Sequence, residues 1–125
     1  MKTKNLPVYK EIYELTRLMT KYYVNINRMF KPNIGDKLCN TSIDLLSNII
    51  KANSSTNIIE RREYIRKTKD SLTLIDTMVT LCRDMQLMSA KDYANLILKI
   101  DSISKQLCGW EKKTDERIAM ANGQG

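Results

Sequence analysis

The sequence predicts an all-α protein, an antiparallel up-down-up-down four-helix bundle. Three observations carry this expectation. Four segments place apolar residues at the three- and four-residue steps of a helix face. Only four Gly and two Pro punctuate all 125 residues, too few for a chain of short strands and turns. The connections between segments are about three to seven residues long, which returns each helix alongside the one before it.

The first helix is expected to start at Pro7, a residue suited to a first helical turn, and to stop at the turn "FKPNIG". Val8, Ile12, Leu15, Met19, Tyr22, Ile26 and Met29 step along one face, giving about 23 residues and roughly 35 Å of helix. A second helix is expected from Ile34 to Ala52, with Leu38, Leu45, Leu46, Ile49 and Ile50 apolar, ending at the polar cluster "NSSTN". The third starts near Ile59 and carries two adjacent stripes, Ile65, Leu72, Ile75, Val79, Cys82 and Leu74, Met78, Leu81, Met85. So wide an apolar surface implies burial against more than one neighbour. The fourth opens at "SAKD", where Ser89 and Asp92 fit a capping box, and continues through Tyr93, Leu96, Ile97, Ile100, Ile103 and Leu107.

Near its end, "SKQLCGWEKK" sets Gly109 beside the single tryptophan, Trp110. Glycine inside a helix costs about 1 kcal/mol relative to alanine, so Gly109 either ends the helix or admits a close neighbour. Leu107 and Trp110 share the apolar side, which favours continuation, with Trp110 plugging the bundle end or a subunit interface; nucleic-acid stacking is the alternative role for its ring. Residues 1–118 then form one domain, and residues 119–125 are expected to be a flexible tail.

Histidine is absent, so neither a Ser-His nor a Cys-His nucleophile pair can be built, and a zinc site would need cysteines and carboxylates alone. Cys39, Cys82 and Cys108 lie far apart, and an odd number cannot all pair within one chain. Free, largely buried thiols are expected. Paired carboxylates could do acid–base work, yet most acids sit three or four residues from a Lys or Arg, as with Glu63 and Lys67 or Asp101 and Lys105, the spacing of helix-surface pairs. The expectation is a protein that is not an enzyme and takes no metal or cofactor. "MKTKNLPVYKEIYEL" puts no apolar run behind its charges, and no window of about 18 uncharged apolar residues exists. No membrane partner is expected, and the location expected is cytoplasmic.

Charge carries the functional signal. With 21 Lys and Arg against 14 Asp and Glu, the formal charge is +7, which suits a polyanionic partner. On the first helix Lys10, Arg17, Lys21, Arg28 and Lys31 fall within a sector of roughly 80° opposite the apolar face, interrupted by Glu14. On the third, Arg62, Arg66 and Lys69 form a shorter stripe flanked by Arg61 and Lys67, and Lys112, Lys113 and Arg117 follow near the C-terminus. The two stripes are the candidate nucleic-acid-binding residues. Tyr9, Tyr13, Tyr23 and Phe30 flank the first helix's apolar stripe, widening it beyond one bundle core. With Trp110 they are the candidate oligomer interface.

The stretch "IGDKLCNTSIDLLSNIIKANSS", followed some fifty residues later by "SISKQLCGW" on a basic chain opening "LPVYKEIYEL", resembles the Avd family, the accessory variability determinants of diversity-generating retroelements. It is also similar to the wider four-helix-bundle group that includes proteins encoded in intervening sequences of large-subunit ribosomal RNA genes. The resemblance spans about residues 6 to 113. It implies a homo-oligomer, a pentamer, whose basic surface binds nucleic acid and the retroelement's reverse transcriptase: a noncatalytic partner for error-prone copying of a template RNA. DNA and an RNA–DNA hybrid are further implied partners. The alternative is a structural helical-bundle oligomer of the intervening-sequence type.

Overall fold

Residues 2–123 are described by a computed structural model. They form α1 (Pro7–Asn25), α2 (Asp36–Ser54), α3 (Ile58–Asp84) and α4 (Ala90–Ala121), with a 3₁₀ turn at Thr3–Asn5 and a π-helical turn at Lys31–Gly35. The main contacts run α1 to α2, α2 to α3, α3 to α4 and α4 back to α1. Each helix therefore has two principal neighbours, as an up-down-up-down bundle of all-α class requires. No strand occurs among the described residues.

α1 buries Val8, Ile12, Leu15 and Met19 as its spacing demands, but it stops at Asn25 after 19 residues. Ile26 is still buried, in an extended conformation, while Met29, expected on the apolar face, is 76 % exposed. The cause is local. Asn27 accepts the Met29 N–H on its side chain at 2.9 Å, a turn bond that competes with helix, and Pro32 has no N–H to continue the ladder. Arg28 and Lys31 consequently leave the α1 stripe and sit in the connection to α2.

The connection closes on Gly35. A Cβ there would lie 3.0 Å from two carbons of the Tyr23 ring, so the ring rests directly on the backbone. In α2, Leu38, Leu45, Ile49 and Ala52 are buried; Leu46 is half-buried and Ile50 exposed. Its last carbonyls, those of Ala52 and Ser55, accept from the Arg61 guanidinium at 3.1 and 2.9 Å, which satisfies groups a helix end leaves open. Arg61 is thereby a capping residue rather than the flank of a basic stripe. Asn57 caps α3 by accepting from Ile59 and Glu60 N–H.

α3 buries the first of its two stripes completely and Met78 of the second. Leu74, Leu81 and Met85 remain exposed, contrary to the expected burial of both, because α2 and α4 flank the core side and leave the outer flank to solvent. Two bonds close the helix: Leu87 N–H to the Cys82 carbonyl at 2.8 Å and Gln86 N–H to that of Arg83 at 3.0 Å. This Schellman arrangement needs a left-handed residue, and Gln86 supplies it at φ 60°.

Ser89 accepts the Asp92 N–H at 3.0 Å, one half of the expected capping box. α4 then runs 32 residues, roughly 48 Å, straight through Gly109. Residues 119–121, assigned to a tail by sequence, are its last helical turn, and residues 124–125 of that tail lie outside the described residues. Glu11 of α1 accepts from Ser102 and Gln106 of α4, which places the start of α1 beside Trp110. α4 beyond that point is held by the first turns of α3, and there Thr114 and Ile118 are buried. The five buried hydroxyl residues, Thr41, Ser42, Ser55, Thr68 and Thr114, each donate to the carbonyl four residues back. Their polar atoms thus enter the core satisfied.

Candidate nucleic-acid interface

The helical period of α1 turns Lys10, Arg17 and Lys21 outward, and all three are exposed. Arg17 is tied to Glu14 by its Nε at 2.9 Å, so Glu14 partly neutralises the stripe it interrupts. That hydrogen bond holds the Glu14 carboxyl below its ordinary value, and the charges of Lys99 and Lys21 act in the same direction. Lys99 belongs to α4. It lines a groove with Glu11 and Leu18 of α1, a placement no single-helix stripe could reveal.

The α3 stripe is different. Lys69 Nζ lies 2.6 Å and Arg66 Nε 3.0 Å from the two oxygens of Glu111. Asp115 lies 3.6 Å from Arg62 and 3.7 Å from Arg66. Arg62 Nε and Asp115 Oδ1 are buried without a hydrogen-bond partner among the described residues. All three α3 candidates therefore bridge to α4, and two carboxylates offset three cations. Sequence spacing could not find these partners, which lie 42 to 53 residues away. Conversely, Glu63 with Lys67 and Asp101 with Lys105, paired by spacing, form no ion pair among the described residues.

Arg28 is exposed in the connection, and Lys31 is half-buried with its ammonium 5.5 Å from the Tyr23 ring. Neither lies on α1 with Lys10 and Arg17. Lys112, Lys113 and Arg117 are exposed and free of ion pairs among the described residues.

The aromatic candidates also separate. Tyr23 is committed within the chain: its hydroxyl donates to Asp36 at 2.7 Å and its ring covers Gly35. Tyr9 and Trp110 are half-buried against the core, Phe30 is half-buried in the connection, and Tyr13, 55 % exposed, meets Tyr9 ring to ring at 6.2 Å. Tyr13, Thr16, Thr20 and Leu46 line a shallow groove of about 290 Å³ between α1 and α2. Of the thiols, Cys82 is buried and Cys39 half-buried, but Cys108 is exposed on α4, against the expectation of three largely buried groups. No helix among the described residues is long and apolar enough to cross a membrane.

No family model matches the chain, and no curated protein matches it. A solved structure does: a protein of unknown function from the S23 ribosomal protein family of Bacteroides thetaiotaomicron, at a TM-score of 0.78 and 14 % identity, covering 90 % of this chain and 99 % of that one. At that identity the likeness establishes the shared all-helical fold.

Proposed function

We propose that this chain is a noncatalytic accessory protein of a diversity-generating retroelement, which holds template RNA and the reverse transcriptase together during mutagenic copying. The observation that carries the reading is the cationic face of Lys10, Arg17, Lys21 and Lys99 on α1 and α4, opposed there by Glu14. Ion pairs take up five of the 21 basic and four of the 14 acidic side chains among the described residues, so cations outside ion pairs outnumber such carboxylates sixteen to ten, an excess able to meet phosphate. The family resemblance supplies the enzyme partner, the template and the pentamer. DNA or an RNA–DNA hybrid would be held by the same backbone contacts, which carry no sequence information.

The test is a salt titration of RNA binding by the wild type and by a triple variant, Arg17→Glu, Lys21→Glu and Lys99→Glu. Wild-type affinity should fall with a log–log slope of about −0.7 per phosphate contacted for single strands. The variant should bind more weakly, with a flatter slope, to unrelated sequences alike. Equal affinity and slope would remove this face from the function. Co-purification of the neighbouring reverse transcriptase tests the second partner, and sedimentation tests the pentamer.

The S23 ribosomal protein name of the structural neighbour favours a second reading, a structural bundle oligomer of the ribosomal-RNA intervening-sequence type. A reverse transcriptase gene with a template and variable repeat pair beside this gene would decide for the first.

A further inference from the structure

Where α4 overruns the start of α1, the two helices enclose a groove of about 320 Å³ lined by Leu6, Pro7, Val8, Gly109, Trp110 and Lys113. Its volume is at the lower end of the range for small-molecule sites, about 300–1,000 Å³. Gly109 borders the opening. Its backbone is helical and exposed, and a Cβ built there would meet nothing within 4 Å. Neither a turn nor a close contact with another part of the chain explains the glycine, and the space over it is open.

Lys113 is the one charged residue lining the groove; beyond it lie Arg117 and the exposed Glu116. Trp110, Lys113 and Arg117 lie three and four residues apart and share one side of α4, and both cations are free of ion pairs among the described residues. No carboxylate lines the groove. Glu11 is turned to Ser102 and Gln106, and Glu111 and Asp115 are engaged by the α3 cations. A largely apolar slot beside an indole, with the unpaired Lys113 at its rim and Arg117 one turn further along α4, matches a ligand with a flat ring and flanking negative charge.

We propose that this groove takes one unpaired base of a single-stranded nucleic acid, stacked against Trp110, with the adjoining phosphates met by Lys113 and Arg117. The inference rests on the nucleic-acid reading above and assigns it a site apart from the Lys10, Arg17, Lys21 and Lys99 face. Stacking on an aromatic side chain tolerates any base, since every base has a π-face. The groove would therefore favour single strands over duplexes without selecting sequence.

Trp110 is the single tryptophan, so its emission reports on the site directly. The experiment titrates the full chain with an oligoadenylate of about ten nucleotides and with the same strand annealed to its complement. The single strand should quench Trp110, and the duplex should bind with little quenching. Gly109→Leu fills the open space while improving helix propensity; it should weaken single-strand affinity roughly tenfold and leave duplex affinity unchanged. Circular dichroism checks its fold, and the wild-type quenching stands independently of any variant.

Single-strand binding with unchanged Trp110 emission, or quenching equal for duplex and single strand, overturns the site. So does undiminished affinity in a folded Gly109→Leu, the result expected if the groove seats an apolar side chain of a protein partner instead. In those cases the triple charge variant still loses affinity and the broader reading survives. No binding of either oligonucleotide at low salt removes both.

Discussion

Glu111→Gln separates the structural from the functional role of the α3 cations. Glu111 is 18 % exposed and receives Lys69 at 2.6 Å and Arg66 at 3.0 Å. The amide keeps an acceptor oxygen but loses the charge. Lys69 and Arg66 are 33 % and 50 % exposed, so both can turn to water. The loss then stays near that of partly screened surface pairs, about 1 kcal/mol for the two together at neutral pH. The Lys69 hydrogen bond holds the Glu111 carboxyl below its ordinary 4.5, with burial opposing and Arg66 assisting. A depressed carboxyl stabilises the fold above its unfolded value and loses that contribution as pH falls. Lys69 is raised from 10.5 by the same hydrogen bond, so its share is present below that value and lost as pH rises past it. The gap between wild type and variant in urea unfolding should be open from roughly pH 5 to 10 and close toward pH 3. In an RNA salt titration, the freed Lys69 and Arg66 should leave affinity unchanged if this face serves the bundle alone. If the α3 stripe also contacts RNA, the slope should steepen by about 0.7 for each cation released. An unfolding difference that persists undiminished at pH 3 would refute the electrostatic account of Glu111.

Gln86→Gly should raise stability by about 1 kcal/mol, or a melting midpoint higher by about 4 °C, since it relieves a left-handed residue without disturbing the closing bonds of α3. Tyr22→Phe removes a hydroxyl that donates to the Leu87 carbonyl at 2.5 Å and should cost about 1–2 kcal/mol in urea unfolding. Burial, with Cys82 beside it, raises Tyr22 well above its ordinary 10.0; in an alkaline absorbance titration it should ionise last, and that late component should vanish in the variant. Gly35→Ala forces the Tyr23 ring outward and should cost about 1–2 kcal/mol. The cost should shrink when Tyr23 is already alanine, and a cycle showing simple additivity would contradict that contact.

The sequence by itself determined the number and order of the helices, because apolar spacing, the capping residues before α4 and the sparse turns are local properties that each segment expresses alone. It also located the α1 core face from Val8 to Met19 and the first α3 stripe, since a ring of four helices buries whichever face is most apolar. It misjudged the end of α1, where a single Asn27 side-chain bond outweighed the apolar period that continues to Met29. What only the tertiary structure decided is which cations remain free. Arg62, Arg66 and Lys69 look like Lys10 and Lys21 on a helical wheel, yet the register of α4 sets Glu111 and Asp115 against the first group and Lys99 beside Glu11 and Leu18 of α1. The groove at Gly109 likewise arises from α4 outlasting α1. An ion pair between helices forms only where the two side chains come into contact, so it depends on axial register, and register is set by the packing of whole helices rather than by any segment's own pattern.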